Sequence, residues 1–164
     1  MDLYSTHLNS TLRYLKFRDR SKKEIRDYLH SKKAPSEIIE KIISYCIDHN
    51  FINDERFAAD WVHARSTYRL KSKKIIKLEL IKKGIDPETI EKALGSQEES
   101  NESNDLNLAK KLVQLRINRY INASRQEIYQ KLGGFLSRRG FSWEIVKQAI
   151  DSELALEYNK QNRQ

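Results

Sequence analysis

The sequence predicts an all-α protein of three tandem three-helix repeats that stack into an elongated, curved array. The stretches SKKEIRDYLHSKKAPSEIIEKII, from Ser21, and SKKIIKLELIKKGIDPETIEKAL, from Ser72, agree at ten of twenty-three positions without a gap. A fainter third copy begins at Ser124 and aligns once about one extra helical turn is allowed. Self-similarity at a fixed period is typical of repeat proteins, in which each unit covers the apolar face of its neighbour.

The composition agrees with a helical protein. Only 5 glycines and 2 prolines occur among 164 residues, and 33% of the residues are charged. The single cysteine, Cys46, lies in the apolar run IISYCI and is predicted to be a small buried hydrophobe. No apolar run is long enough for a signal peptide or a membrane span, so we expect a soluble cytoplasmic protein, acting as a monomer.

Repeat spacing and composition divide the chain into five segments. The segment GSQEESNESND has four acidic residues and no apolar one, which is typical of a flexible, solvated linker. The predicted segments are repeat 1 at 1–52, repeat 2 at 53–95, an acidic flexible linker at 96–105, repeat 3 at 106–158 and a frayed tail at 159–164.

The middle helix of each repeat is predicted to start after a serine. Ser21 with Glu24, and Ser124 with Glu127, have the spacing of a capping box, in which each residue satisfies the other's backbone amide. Ser72 can cap in the same way, although no glutamate follows three residues later. These serines therefore set the register of the three copies.

In repeats 2 and 3 the sequence indicates a turn immediately before the third helix. Gly84 and Gly140 can end the preceding helix in a left-handed conformation. Asp86 and Ser142 can then cap the next helix, and Pro87 suits a first helical position. We expect the same turn in both repeats.

Repeat 1 departs from this pattern at its turn. Lys33 stands where the other copies have glycine, and Pro35 stands where they have a capping side chain. We therefore predict that this turn is built differently. A second glycine feature, Gly133-Gly134, falls inside a helical pattern and indicates a kink or close packing.

The first helix of each repeat carries an apolar stripe. Each stripe has the helical spacing of a core-facing surface. The predicted stripes are Leu8, Leu12 and Leu15 in repeat 1; Phe57, Ala58, Trp61, Val62, Ala64 and Tyr68 in repeat 2; and Leu108, Leu112, Leu115 and Ile117 in repeat 3.

No catalytic constellation stands out. The four histidines, His7, His30, His49 and His63, lack the cysteine or carboxylate spacing of a metal site. The glycine patterns of phosphate-binding or dinucleotide-binding loops are also missing. We predict no enzyme activity, no catalytic residue, no metal and no cofactor.

Basic residues recur at matching places in the three repeats, and the net charge of +8 indicates an anionic partner. A recurring basic stripe would line one face of a repeat array, whereas the alternative is a solvated charged surface. The predicted binding residues, called here the basic face, are Arg18, Arg20, Lys22, Lys23, Arg65, Arg69, Lys71, Lys73, Lys74, Lys77, Arg116, Arg119, Arg125, Arg138 and Arg139.

Two parts of the basic face suggest specific chemistry. Lys73 and Lys74 begin a helix, where they and the free amides could receive a phosphate or carboxylate. Arg138 and Arg139 lie near Phe141 and Trp143 in sequence, which suits base stacking or an anionic protein groove. Complementation of a helix dipole is the alternative for the two arginines.

The stretches FINDERFA, ELIKKGIDPETIEKAL and FLSRRGFSWEIVKQAI, in this order, resemble the RecX family of bacterial RecA regulators. The resemblance covers roughly residues 8–155. It implies three tandem three-helix repeats and a non-enzymatic cytoplasmic protein that lies along the groove of the RecA–DNA filament. Such a protein modulates, and is expected to inhibit, RecA ATPase, recombinase and coprotease activity in DNA repair and the SOS response. The chain departs from the family pattern at Arg69–Ser72, where a glycine is common.

A second interpretation is a stand-alone helical module that acts directly on single- or double-stranded DNA. Helix–turn–helix proteins also join two short helices through a glycine-containing turn. Stacked repeats would, however, bury the helices that such a module inserts into a DNA groove. Salt-sensitive DNA binding without a protein partner would favour this second interpretation.

Overall fold

The computed structural model describes residues 2–95, 101–120 and 122–161, and all regular structure among them is helical. The helices are α1 (Leu3–Leu15), α2 (Lys22–Ser31), α3 (Ser36–Asp48), α4 (Asp54–Thr67), α5 (Lys73–Lys82), α6 (Pro87–Gly95), α7 (Asn101–Ile117), a 3₁₀ turn (Asn118–Tyr120), α8 (Arg125–Ser137) and α9 (Trp143–Gln161). The predicted all-α class and the three three-helix repeats are confirmed. The elongated, curved arrangement stays a prediction.

Two predicted segment boundaries are corrected. Helix α7 begins at Asn101, so residues 101–105 are helical rather than part of a linker, and residues 96–100 lie outside the described residues. Helix α9 continues to Gln161, into the predicted tail, whose last three residues are also outside the described part. The polar composition predicted coil in both places. Polar residues can nevertheless extend a helix whose other turns are stabilised by packing against the core.

The chain forms two compact units. Unit 1 contains Met1–Val62 and Leu78–Ser96, and unit 2 contains His63–Lys77 and Gln97–Gln164. Unit 1 therefore includes the contact between repeats 1 and 2, whereas unit 2 includes the contact between the start of α5 and repeat 3. We call these two contacts the unit 1 joint and the unit 2 joint.

Each unit has an aliphatic core drawn from the helices of its repeat. In unit 1 the largest buried side chains of repeat 1 are Ile25, Leu29, Ile39, Ile42 and Ile43. Cys46 lies among them, and burial raises the pKa of its thiol to about 11, which confirms the predicted buried hydrophobe. In unit 2 the core is formed by Ala109, Leu112, Val113, Ile117, Ile128, Leu132, Leu136, Phe141, Val146, Ala149 and Ile150.

The serine caps are confirmed in all three repeats. Ser21 and Ser124 form complete capping boxes with Glu24 and Glu127. The hydroxyl oxygen of Ser72 accepts from the amide three residues later at 3.4 Å. Because a cap depends on residues three apart in the chain, the sequence was sufficient to place it.

The turn after each middle helix is the same in the three repeats. Lys33, Gly84 and Gly140 have φ values of 56°, 76° and 87°. In each case the amide of this residue donates to the carbonyl three residues back, and the next amide donates to the carbonyl five residues back. The prediction of a different turn in repeat 1 is therefore wrong, although Pro35 does leave α3 without a side-chain cap.

A second left-handed residue explains the missing glycine before α5. Leu70 has a φ of 48°, so it adopts the conformation for which glycine is common. Its side chain packs against the core of unit 2. The packing of a leucine offsets a backbone conformation that costs a non-glycine residue roughly 1–2 kcal/mol.

The apolar stripes are confirmed over most of their length. Phe57 and Leu112 are buried, but Tyr68 and Leu115 are 76% and 67% exposed, so these two assignments are wrong. Tyr68 follows the last residue of α4, where the helical period no longer dictates its direction. Gly133 is buried, and a Cβ there would lie 3.4 Å from the ring of Trp143, which confirms the close packing predicted at this glycine.

The unit 1 joint places the start of α2 against the end of α5. The hydroxyl of Ser21 donates to the carbonyl of Lys83 (2.7 Å), and the amide of Lys22 donates to the carboxylate of Asp54 (2.8 Å). The ammonium of Lys83 pairs with Glu24 at 2.5 Å. Polar groups of repeat 2 thus provide hydrogen-bond and ion-pair partners for the residues at the start of α2 in repeat 1.

The unit 2 joint repeats this arrangement with equivalent residues. The amide of Ser72 donates to the carbonyl of Arg139 (3.2 Å), and the amide of Lys73 donates to the carboxylate of Asp105 (3.3 Å). Ile75 takes the position that Glu24 has in unit 1. The two joints therefore pair equivalent residues, but the donor to the carbonyl is the hydroxyl of Ser21 in unit 1 and the amide of Ser72 in unit 2.

Glycine is required at both joints by close approach as well as by φ. A Cβ on Gly84 would lie 2.6 Å from the side chain of Lys23, and one on Gly140 would lie 2.1 Å from Ile75 and 2.5 Å from the hydroxyl of Ser72. Any side chain at these positions would push the two repeats apart.

Candidate functional site

The structure divides the fifteen residues of the basic face unequally. Eleven lie in unit 2, and four, namely Arg18, Arg20, Lys22 and Lys23, lie in unit 1. The idea that all fifteen share one face stays a prediction. Within each unit, however, the surroundings of the individual side chains are defined.

In unit 1 the predicted residues are engaged with the protein itself. Arg18 pairs with Glu24 at 2.7 Å, and Lys23 pairs with Asp27 at 3.2 Å. The guanidinium of Arg20 lies 3.9 Å from the centre of the Tyr14 ring. Arg18 and Lys23, which already have carboxylate partners, gain less from an external anion, whereas Arg20 has no carboxylate partner among the described residues and its buried Nε has no hydrogen-bond acceptor.

Ion pairing extends to basic residues of unit 1 outside the basic face. Arg26 pairs with Glu40 at 3.0 Å, and Arg56 lies 3.8 Å from Asp19. Unit 1 thus has its cations interspersed with acids, which is typical of an ordinary solvated surface.

The helix start proposed to hold an external anion, that of α5, already contains an internal one, and the start of α2 has the same arrangement. Asp54 accepts from the amide of Lys22, and Asp105 accepts from the amide of Lys73. Burial raises the pKa of both aspartates. A carboxylate does bind at these helix N-termini, but it belongs to the chain, so the amide of Lys73 is not an open phosphate site.

Unit 2 contains a cluster of cations around a single aromatic ring. The guanidinium groups of Arg116 and Arg139 lie 3.8 and 4.1 Å from the centre of the Phe135 ring. Arg138 is the neighbour of Arg139 and is exposed. We call Arg116 and Arg139, which lie against Phe135, together with the neighbouring Arg138, the arginine cluster.

The arginine cluster has no carboxylate partner within the described part of the chain. Burial, with added repulsion from Arg116 and Arg138, lowers the pKa of Arg139. The Nε of Arg139 is buried and has no hydrogen-bond acceptor. Positive charge is therefore concentrated here without internal compensation.

Local sequence explains how the cluster is positioned. Phe135 lies in the last turn of α8, and Arg139 follows in the turn after the helix ends at Ser137, which brings its guanidinium back over the ring. Arg116 comes from the last turn of α7, which packs against α8. The carbonyl of Arg139 is fixed by the amide of Ser72, which ties the loop before α5 to the cluster.

A cation over a ring recurs at this position of every repeat. Lys32 lies 5.6 Å from the Tyr28 ring centre, with the same four-residue spacing as Phe135 and Arg139. In repeat 2 the equivalent ring position is Glu79, and the ring comes from Trp61, whose indole N–H donates to Glu79 at 2.9 Å. Lys83 lies 5.2 Å from that ring centre. In repeat 3 the ring of Phe135 also meets a second cation, Arg116.

The aromatic partner of the arginines differs from the one predicted. Phe141 is buried in the core of unit 2, and Trp143 packs against Gly133 and Tyr129. Phe135 takes the predicted role instead. Its spacing to Arg139, shared with Tyr28 and Lys32, was the signal in the sequence that could have identified it.

The remaining predicted residues are not brought into the cluster by any defined contact. Arg125 pairs with Asp151 at 2.6 Å and is thereby neutralised. Arg69, Lys74, Lys77 and Arg119 are exposed, whereas Arg65, Lys71 and Lys73 are half-buried. Their roles stay predictions.

Other kinds of site find little support among the described residues. No group of three or more histidine, cysteine, aspartate or glutamate side chains there could hold a metal ion. None of the described helices combines the length and apolarity needed to cross a membrane.

Family models for RecX match all three repeats. The first three-helix domain of RecX matches residues 8–46, the second matches 53–94 and the third matches 103–150. These ranges coincide with the repeats defined by α1–α3, α4–α6 and α7–α9. The match covers most of the chain and agrees with the repeat order.

Individual relatives and a solved structure agree with the models. The chain is 32% identical to the regulatory protein RecX of Streptococcus uberis over 97% of this chain and 59% of that protein. It is 30% identical to that of Clostridioides difficile over 93% and 70%. A crystal structure of RecX from Lactobacillus salivarius superposes with a TM-score of 0.75, at 33% identity, over 93% of this chain and 97% of that one.

The lengths of the relatives differ from that of this chain. The chain spans about half the length of several curated relatives that it matches, including those of Bacillus pumilus and Bacillus subtilis. Because the matched region nevertheless contains all three domain models, the assignment does not depend on the additional residues of those relatives. The chain belongs to the RecX family.

Proposed function

We propose that this protein is a non-enzymatic regulator that binds the RecA–DNA filament and inhibits RecA ATPase, recombinase and coprotease activity. The cell compartment would be the cytoplasm, and the role would be in DNA repair and the SOS response. The family name of the relatives, regulatory protein RecX, supports regulation in general. The RecA filament is the specific partner that the proposal adds.

The observation that carries the proposal is the arginine cluster of unit 2, which has no carboxylate partner in the described part of the chain. A RecA filament on DNA presents phosphates and protein carboxylates, and a cationic surface without internal partners would be attracted to it. The arginine cluster has these properties, whereas the paired cations of unit 1 do not. A protein that contacts several RecA protomers would also gain affinity from effective concentration.

RecA ATP hydrolysis on single-stranded DNA tests the proposal directly. The protein is titrated at amounts below one per RecA protomer, and we expect a strong fall in the hydrolysis rate. Coating the DNA itself would need more protein, so inhibition at low ratios indicates action on the filament. An unchanged rate would contradict the proposal.

A second candidate is a stand-alone DNA-binding module, favoured by the net charge of +8. It predicts tight, salt-sensitive binding to DNA without RecA and no effect on RecA at low ratios. Measurements of RecA ATP hydrolysis and of DNA binding without RecA therefore distinguish the two candidates.

A further inference from the structure

We propose that the cleft between α1 and α2 in repeat 1 is a binding site for a mononucleotide, a small ligand with one phosphate group and a planar ring. The cleft has a volume of about 350 Å³, which lies in the range of small-ligand sites. Its lining residues are Thr6, His7, Ser10, Arg13, Tyr28 and Lys32. None of them belongs to the basic face, and the inference is independent of the proposed function.

The cleft is formed by residues that local sequence places together on each helix. In α1, Thr6, Ser10 and Arg13 follow one another at spacings of four and three residues, so they lie along one face of the helix. In α2, Tyr28 lies in the last turn, and Lys32 caps the C-terminus. The polar face of α1 is thus opposed by an aromatic ring and a cation.

The cations of the cleft have no internal counter-charge. Among the described residues, neither Arg13 nor Lys32 has a carboxylate partner, and no acidic residue lines the cleft. Arg26, in the same repeat, does pair with Glu40 at 3.0 Å. Two cations without an acid favour a divalent anion, and a phosphate monoester carries about two negative charges at neutral pH.

Hydrogen-bond donors and acceptors are divided within the cleft. The Nε of Arg13 donates to the carbonyl of Asn9 at 3.4 Å, so its terminal amino groups are the donors that remain for a ligand. The hydroxyls of Thr6 and Ser10 donate to backbone carbonyls one turn earlier, at 3.0 and 2.8 Å. Their oxygens can therefore only accept from a ligand. A guanidinium that donates suits a phosphate, and hydroxyl oxygens that accept suit the hydroxyls of a sugar.

The planar part of the ligand is assigned to the ring of Tyr28. Tyr14 stacks on one face of this ring, with centroids 4.1 Å apart and planes inclined by 9°. Because Tyr14 covers that face, the ammonium of Lys32, 5.6 Å from the ring centre, lies over the other face, towards the cleft. Arg20, 3.9 Å from the Tyr14 ring centre, supports the stack from behind.

The second face of Tyr28 can accept a base. Lys32 is exposed and its side chain is flexible, so the ammonium can move from above the ring to the phosphate of a bound ligand. Stacking on an aromatic ring tolerates any base, since every base has a π-face. The ring and the two cations together therefore fit a mononucleotide better than a bare phosphate ion.

The test is calorimetric titration of the protein alone with adenosine monophosphate, ribose 5-phosphate and inorganic phosphate. The double variant Arg13→Gln and Lys32→Gln removes two cations of the cleft, both at exposed positions. The control, Arg26→Gln and Lys41→Gln, removes the same charge from residues of repeat 1 that pair with glutamates. Far-UV circular dichroism checks that both variants fold.

We expect adenosine monophosphate to bind the cleft variant at least about tenfold more weakly than the wild type, and the control to change less than about twofold. Ribose 5-phosphate should bind the wild type about tenfold more weakly than adenosine monophosphate, because it lacks the base that stacks on Tyr28. Inorganic phosphate should bind more weakly still. If the double variant fails to fold, Lys32→Gln alone replaces it with the same expected direction.

Three results would overturn the proposal. The first is the absence of binding by the wild type at about 10 mM adenosine monophosphate. The second is equal weakening in the cleft variant and the control, which would reduce the effect to net charge. The third is equal affinity for the three ligands, which would assign the cleft to a phosphate ion alone.

A further arm distinguishes a mononucleotide from a nucleic-acid strand. Binding of labelled oligothymidylate that is lost in the cleft variant, without binding of adenosine monophosphate by the wild type, would make the cleft part of a nucleic-acid surface and overturn the proposal. Binding of adenosine monophosphate that depends on the cleft would support this inference even if the protein has no effect on RecA.

Discussion

Units 1 and 2 join their helices through equivalent residues but differ in which of their cations have carboxylate partners. In unit 1, Arg18, Lys23 and Arg26 each have a carboxylate within 3.2 Å. In unit 2, Arg116 and Arg139 share an aromatic ring and have no carboxylate partner in the described chain. The difference teaches that a recurring basic pattern does not give equivalent sites, because the acids that neutralise it are supplied separately in each repeat.

The largest expected effect breaks the unit 2 joint. Gly140→Ala should lower the free energy of unfolding by about 3 kcal/mol, since it combines a left-handed backbone with overpacking against Ile75. Gly84→Ala should cost less, about 2 kcal/mol, because its Cβ would approach Lys23 to 2.6 Å rather than the 2.1 Å that separates a Cβ at Gly140 from Ile75. Urea denaturation measures both values.

Gly95 provides the matched control for these substitutions. A Cβ at this position would meet nothing within 4 Å, so Gly95→Ala should leave stability unchanged or raise it slightly. If Gly140→Ala lowers the free energy of unfolding no more than Gly95→Ala does, close approach at Gly140 does not stabilise the unit 2 joint.

Acid should weaken the unit 1 joint by up to about 2 kcal/mol. Burial would raise the pKa of Glu24, but hydrogen bonds from Arg18, Lys83 and Ser21 prevail and lower it to about 2, from an ordinary 4.5. Because the folded-state pKa is the lower one, the unfolded chain binds this proton first. The stabilisation is complete above about pH 4.5 and is lost as the pH falls towards 2.

Denaturation at pH 7 and pH 3, for the wild type and Glu24→Gln, measures this contribution. The variant should be less stable at pH 7 and should lose less on acidification. Unit 2 has Ile75 at the equivalent position and lacks this acid-sensitive group, which sharpens the comparison of the joints. An identical acid response in the variant would exclude Glu24 as the cause.

A smaller effect is expected at the turn of repeat 1. Lys33→Gly should raise the free energy of unfolding by about 1 kcal/mol, since Lys33 has a φ of 56° and is exposed, so little packing is lost. Thermal unfolding should show the increase, with Lys33→Ala as the control that keeps the Cβ. A lower stability for the glycine variant would indicate that the lysine side chain makes a contribution of its own.

The smallest expected effect on stability comes from removing single charges, at Arg138 in unit 2 and at Arg18 in unit 1. Arg138→Gln should stabilise the protein by about 0.5 kcal/mol at low salt, because it removes repulsion near Arg139. Arg18→Gln should destabilise it by a similar amount through loss of the pair with Glu24. Both changes should shrink in 1 M salt, and denaturation at two salt concentrations checks their opposite signs.

Much of the fold was predictable because it depends on neighbours in the chain. The capping serines, the left-handed glycines and the apolar stripes all act over three to five residues. The errors have different origins, and one of them, the exposed Leu115, lies within α7. Tyr68 lies beyond its helix, and Lys33 adopts a glycine conformation because the surrounding turn requires it.

Less of the candidate site was predictable. The sequence identified Arg116, Arg138 and Arg139 as basic, but it suggested Phe141 and Trp143 as their aromatic partners. Phe141 is buried in the core of unit 2, and the guanidinium groups of Arg116 and Arg139 lie against Phe135 instead. Sequence proximity is a poor guide here because Arg138, Arg139 and Phe141 lie in the turn between α8 and α9, where the backbone conformation sends neighbouring side chains in different directions.

The sequence by itself determined the helices, their caps, the three repeats and the family, since these follow from local spacing and from self-similarity along the chain. Only the tertiary structure decided which cations are neutralised. Lys83 reaches Glu24 across 59 residues, and Asp105 reaches the amide of Lys73 across 32. Because electrostatic energy depends on distance in space and not along the chain, the uncompensated charge of Arg116 and Arg139 could be recognised only in the folded protein.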